Sequence, residues 1–177
     1  MTAPEMQVEV SGWSSITMGS LAESAGVSRQ TVYNEIGTRS DLADAVVLDE
    51  LARFLAVVER GFEQHPRDLH AAIRAAVLAV LERARESALL RAIVTSTAGA
   101  GSELLPPLTT RSSSLVGTAK AVVLARIAGY DVSAGATRRD AVADVLVRAV
   151  LSHVMQPSDD PRRTATGIAG VATAALG

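Results

Sequence analysis

The chain has 177 residues, 48% of them hydrophobic and only 3% aromatic, with a formal net charge of −2. That length suffices for one substantial core or for a small domain joined to a larger one, and the dominance of Ala, Leu and Val favours packed helices over a β-sandwich. The absence of cysteine excludes disulfides, thiolate metal sites and cysteine nucleophiles, and the near-neutral charge excludes a generally basic, polyanion-coating protein.

The opening residues, MTAPEMQVEV, lack the basic-then-apolar profile of a signal peptide. No apolar run reaches the roughly 18 residues of a membrane span. A soluble, cytoplasmic, all-α protein with no membrane partner is therefore expected. Of the basic residues, Lys120 alone is a lysine. Met1 to Ser11 can form two helical turns from Pro4, and Gly12-Trp13 reads as a stop followed by an aromatic anchor packed near Ile16 and Leu21.

Thr17 to Leu42 is the most informative stretch. Two short helical patterns flank Ala25-Gly26-Val27. Thr17 and Ser28 are placed to cap them, because a hydroxyl at the first position accepts from an unpaired amide of the first turn. Gly26 suits the left-handed position after a helix end. Leu21, Ala22, Ala25, Val27, Val32 and Ile36 are the apolar positions that hold the pair at a steep angle, which is helix-turn-helix geometry. The second helix, Ser28 to Ile36, turns Val32 and Ile36 inward and presents Arg29, Gln30, Thr31, Tyr33 and Asn34 outward. Arg29 and Gln30 can contact base edges in bidentate fashion, and Thr31 and Tyr33 can reach phosphate oxygens.

The run Leu21-Ala22-Glu23-Ser24-Ala25-Gly26-Val27-Ser28, then Thr31-Val32-Tyr33, Ile36 and Thr38-Arg39-Ser40-Asp41-Leu42, resembles the DNA-binding segment of TetR-type transcriptional regulators. The resemblance implies an N-terminal three-helix DNA-binding domain, taken here as residues 1–46. It also implies a helical ligand-binding and dimerisation domain, residues 47–177, and a homodimer that reads a palindromic operator. By position, Thr17, Arg29, Gln30, Thr31, Tyr33, Asn34 and Arg39 would face DNA. Within Met1 to Val46, Arg29 and Arg39 stand against Glu5, Glu9, Glu23, Glu35, Asp41 and Asp44, a net of −4. Few phosphates can be neutralised by such a head, so a shallow salt dependence is expected.

Thr38 to about Gln64 reads as one long helix. Thr38 and Asp41 form a variant capping box, and Leu42, Val46, Leu48, Leu51, Leu55, Val58 and Phe62 supply an apolar stripe ended by His65-Pro66. Arg67 to Arg85 is a second amphipathic helix, with Leu69, Ile73, Val77, Val80 and Leu81 inward. Ser87 to Thr97 is a third, followed by a Gly99-Ala100-Gly101 loop and the stiff Pro106-Pro107 connector. The glycine pair lacks the third glycine and the preceding strand of a dinucleotide fingerprint.

Ser112 to Gly129 is helical. Arg126 near its end is open to two readings, a helix-end surface charge or a cation facing a ligand. The last helices, Ala136 to Gln156 and Pro161 to Gly177, are separated by the turn Gln156-Pro157-Ser158-Asp159-Asp160-Pro161. Val142, Val145, Leu146, Ala149, Val150 and His153 on one, with Ile168, Val171, Ala172 and Ala175 on the other, fit a four-helix dimer interface built from two copies. An apolar inducer is expected among Phe54, Val58, Phe62, Ile93, Leu105, Leu108, Val122, Arg126 and Tyr130.

No catalytic, metal or cofactor constellation emerges. His65, His70 and His153 are scattered, and no serine sits in a nucleophile elbow. The expected function is a ligand-responsive regulator, a repressor released from operator DNA by a small apolar molecule. Two other readings are a helical interaction module without operator binding and a protein that sequesters small molecules.

Overall fold

A computed structural model describes residues 17–87, 89–90, 112–157 and 160–177 of the chain. Seven α-helices are bounded within them: α1 Met18–Ala25, α2 Arg29–Ile36, α3 Arg39–Glu63, α4 Leu69–Glu86, α5 Ser112–Ile127, α6 Ala136–Met155 and α7 Pro161–Leu176. No strand occurs among the described residues, as the composition predicts. The readings at Met1 to Ser11, Trp13, Gly99 to Gly101 and Pro106-Pro107 lie outside the described residues, as does the Ser87 to Thr97 helix apart from Ser87, Leu89 and Leu90.

Local chemistry sets the helix ends. The start of α4 is two residues later than its apolar period suggests, because Asp68 acts as the cap: the Ala71 N–H donates to Asp68 Oδ1 at 2.9 Å. α3 ends where His65-Pro66 breaks the ladder, with the Gln64 N–H still reaching the Arg60 carbonyl at 3.1 Å. At α7, Asp160 Oδ1 accepts from the Arg162 N–H at 3.0 Å, and Pro161 occupies a first-turn position where its missing N–H costs nothing.

The chain divides into two compact units, Met1–Glu50 with Ser87–Ser112 and Leu51–Glu86 with Ser113–Gly177. In the first, Met18, Leu21 and Ala22 of α1 pack with Val32 of α2 and with Leu42 and Ala43 of α3; Leu89 is buried among them and Leu90 packs against them. Met18 and Leu89 were not among the apolar positions expected to hold the head together. Conversely, Ala25 and Val27 are exposed rather than packed, because the left-handed turn at Gly26 swings the connection away from the core.

In the second unit, α4 lies at the centre and packs on both α6 and α7. Its inward face of Ala72, Ile73, Ala76, Val77 and Leu81 meets Phe62 from α3, Val123 and Ile127 from α5, Ala143, Leu146 and Val147 from α6, and Ala165, Ala169, Ala172 and Leu176 from α7. The small residues of α7 let its backbone approach α4 closely, so much of this core is helix surface with short side chains. Gly61 of α3 takes this furthest: a Cβ built there would stand 2.5 Å from the Ala76 nitrogen and 2.6 Å from its Cα.

Candidate nucleic-acid interface

The head is assembled by its caps. At α1 the Ser20 N–H donates to Thr17 Oγ1 at 3.0 Å, and the Thr17 N–H donates back to Ser20 Oγ at 2.9 Å, a reciprocal box with serine in the place of the usual Glu or Gln. Gly26 closes α1 at φ 67°, and the Val27 N–H reaches back to the Ala22 carbonyl at 3.0 Å. Ser28 Oγ then accepts from the Thr31 N–H at 3.1 Å to open α2. At the far end Gly37 adopts φ 87° and ψ −131°, a backbone region that essentially only glycine enters. The Thr38 N–H donates to Asp41 Oδ2 at 2.8 Å, so the predicted Thr-Asp box starts α3.

Between these ends, α2 buries Val32 and half-buries Ile36, leaving the outer face to polar side chains as the pattern predicts. Arg29, Gln30, Thr31, Tyr33 and Asn34 are all exposed, as is Thr17, whereas Arg39 is half-buried at the start of α3. The structure thus brings five of the seven expected DNA-facing residues onto one short helix. They are not equivalent. Gln30 Nε2 donates to Asn34 Oδ1 at 3.0 Å, so the two amides stiffen each other across one helical turn. Thr31 Oγ1 lies 2.9 Å from Ser28 Oγ and is tied into the cap. Tyr33 is 51% exposed, with its ring and hydroxyl open to solvent-side contacts.

The residues expected around a ligand and at a dimer interface fall in the second unit. Of the first group, Ile93, Leu105 and Leu108 lie outside the described residues. Phe62 is buried, Val58 packs against the same core, and the Tyr130 ring meets Phe62 edge-on with centroids 6.1 Å apart. The Tyr130 hydroxyl donates to the carbonyls of Phe62 at 3.2 Å and His65 at 2.8 Å, satisfying the end of α3. Burial, with the nearby Asp68 charge, raises its pKa above the usual phenol value. Arg126 Nη2 donates to Glu59 Oε1 at 2.6 Å, and that hydrogen bond raises its pKa further, so its charge has a partner inside the protein. Phe54 lies under the guanidinium of Arg83, with Cζ 5.4 Å from the ring centre, and Val122 is half-buried on α5. A surface cleft lined by Leu81, Ala84, Arg85, His153, Val154, Pro157, Pro161 and Thr164 contains none of these ligand candidates.

The two C-terminal helices split the expected interface group. Leu146 and Ala172 are buried in the protomer's own core, so they are not part of an outward surface. Val145 and Val171, by contrast, are 62% and 71% exposed. Val142, Val150 and Ile168 are partly buried against the core, and Ala149, His153 and Ala175 lie at its margin. Leu151 and Met155, which the sequence reading did not single out, are exposed on α6.

Residues 68–174 match the family model of the bacterial tetracyclin repressor C-terminal domain. The HTH-type transcriptional regulator AlkX of Mycobacterium tuberculosis is 26% identical over 161 residues, which cover 91% of this chain and 75% of that protein. The crystal structure of the TetR family repressor AlkX from Dietzia, implicated in biodegradation of n-alkanes, is similar with a TM-score of 0.79 and 28% identity, over 98% of this chain and 93% of that one. The TetR family regulator PfmR of Thermus thermophilus shares the fold, with a TM-score of 0.53 at 14% identity over 99% of this chain and 97% of that one. With a capped helix-turn-helix head, an all-helical second unit and a family match across most of that unit, the chain belongs to the TetR family of transcriptional regulators.

Proposed function

We propose that the protein is a homodimeric repressor that binds a palindromic operator and leaves it when a neutral, aliphatic small molecule occupies the second unit. The observation that carries the DNA half is the outer face of α2, where Arg29, Gln30, Tyr33 and Asn34 stand exposed on a helix held at both ends by side-chain and glycine caps. A lone helix-turn-helix reads only one half-site, and a second copy supplies the other at a spacing set by the dimer. Exposed Val145, Leu151, Met155 and Val171 on α6 and α7 support pairing through these helices, since burying them removes apolar surface from water.

The effector class is supported by two features. Candidate contacts Phe54, Val58, Phe62, Val122 and Tyr130 are apolar or aromatic, with Ile93, Leu105 and Leu108 extending the set. Arg126, the one cation among them, is already paired with Glu59 and makes no demand for an anionic ligand. The link of the Dietzia repressor to n-alkane degradation points the same way. Binding shifts the population between an operator-competent and an operator-incompetent dimer, and the shift cannot exceed the ligand's differential affinity for the two.

Operator selection from random duplex DNA with the purified protein is expected to recover a palindrome. A titration of that complex with straight-chain alkanes, alcohols and aldehydes of graded length is expected to raise the operator Kd for one chain-length window. Recovery of no sequence removes the DNA reading, and an unchanged Kd across the whole series removes the effector reading while leaving DNA binding intact.

A further inference from the structure

The guanidinium of Arg29, on the first residue of α2, lies directly over Gly19 in the first turn of α1. A Cβ built on Gly19 would meet Arg29 Nη2 at 2.9 Å and Cζ and Nε both at 3.1 Å, so the flat group rests on bare backbone. Any side chain at position 19 would occupy that seat. Arg29 makes no hydrogen bond or ion pair to another side chain among the described residues, and neither α1 nor α2 carries an acid in its first turn. The guanidinium lies at the positive end of α1, where a cation is disfavoured unless an anion joins it. Nothing described on the protein supplies that anion.

We propose that Gly19 is a positioning residue that seats Arg29 as a phosphate clamp, so that Arg29 grips the DNA backbone instead of reading a base. The assignment rests on the DNA-binding reading above. In a docked helix-turn-helix the first helix crosses the phosphate backbone while the second enters the groove. A guanidinium drawn back onto the first turn of α1 is carried toward the helix that crosses the backbone. Base reading is then left to the rest of the outer face of α2, with the stiffened Gln30–Asn34 amide pair as its main hydrogen-bonding group. The arrangement also fits a head with few cations, because Arg29 is drawn toward the helix that crosses the DNA backbone.

The test uses the full-length protein and its selected operator, with single-base operator variants and a series of salt concentrations. Arg29→Ala is expected to weaken every operator variant by the same factor, about tenfold per half-site, and to flatten the slope of log K against log salt by about 0.9 per half-site. Gly19→Ala displaces only the tip of a flexible side chain, and alanine is the better helix former, so its Tm is expected to hold or rise. Its operator affinity is nevertheless expected to fall severalfold, and Gly19→Ala is expected to add nothing in the Arg29→Ala background.

An Arg29→Ala protein that loses discrimination at one base pair with its salt slope unchanged overturns the clamp. A Gly19→Ala protein with wild-type affinity, or one whose loss persists in the double variant, overturns the positioning role. Wild-type protein that selects no duplex overturns the DNA reading itself and this assignment with it, an outcome distinct from the other two.

Discussion

Replacing Gly61 by alanine tests the close approach of α3 to α4. The added methyl would stand 2.5, 2.6 and 2.9 Å from the nitrogen, Cα and Cβ of Ala76, where ordinary contact begins near 3.4 Å. The two nearest are backbone atoms in the body of α4 and the third is the Cβ fixed to them, not the tip of a mobile side chain, so relief requires the two helices to part by about 1 Å. A gap of that size forfeits about a quarter to a half of the attraction of each contact it opens, and the seam includes Phe62, Ala72, Ile73 and Val77. Overpacking of this kind costs about 3 kcal/mol, at the upper end of its usual range, and the helix propensity gained over glycine returns about 1 kcal/mol. The net expectation is a loss of about 2 kcal/mol, or about 4–8 °C in Tm for a domain near this size. Urea titrations at a fixed protein concentration measure it. Gly117→Ala is the control, because nothing lies within 4 Å of a Cβ at that position in α5, and it is expected to stabilise by about 0.5–1 kcal/mol. A Gly61→Ala protein as stable as wild type, or shifted in the same direction as Gly117→Ala, would refute the close crossing.

Tyr130→Phe removes the hydroxyl that donates to Phe62 and His65 while keeping the ring against Phe62. A loss of about 1–2 kcal/mol by denaturant melt is expected, shrinking as the pH climbs through the raised phenol pKa, since the intact donor stabilises only while protonated. Arg148→Ala frees Asp144, whose carboxyl is held below the usual range chiefly by the Arg148 hydrogen bond at 2.8 Å. Its carboxyl titration by NMR should move up; the wild-type advantage is present above the ordinary carboxylate pKa and vanishes as the pH falls through the depressed one. Val145→Glu with Val171→Glu should shift the mass by light scattering from two copies to one while leaving the helical circular dichroism in place, because both side chains point out of the protomer core. An unchanged mass would place any interface elsewhere.

Interactions within a few residues were legible in the sequence. Thr17, Ser28, Gly26 and Thr38 with Asp41 act where their chemistry predicts, because a cap is decided by the hydrogen bonds of one turn. The outer face of α2 followed from Val32 and Ile36 alone. Features that depend on distant partners were not legible. Leu89 packs on α1 from more than sixty residues away, and the helical period that marks it as apolar does not say that its partner is the head. The choice between two readings of Arg126 turned on Glu59, which lies 67 residues earlier in the chain. α6 and α7 are apolar around much of their circumference, so periodicity could not separate Leu146 and Ala172, which face the core, from Val145 and Val171, which face out. Gly19 looked like an ordinary small residue in a short helix, and only the fold reveals the side chain lying on it.

Lys120, the sole lysine of the chain, holds Asp140 at 2.7 Å and so ties α5 to α6. It is the one side-chain amine that amine-directed acylating reagents can modify, and its pairing with Asp140 shields it from them. The rate of acylation at a single peptide therefore reports how often the Lys120–Asp140 pair opens, with no engineered label required. The same scarcity makes lysine-to-lysine cross-linking nearly blind to the proposed pairing of two copies, and carboxylate- or arginine-directed reagents are the ones that would map such a contact.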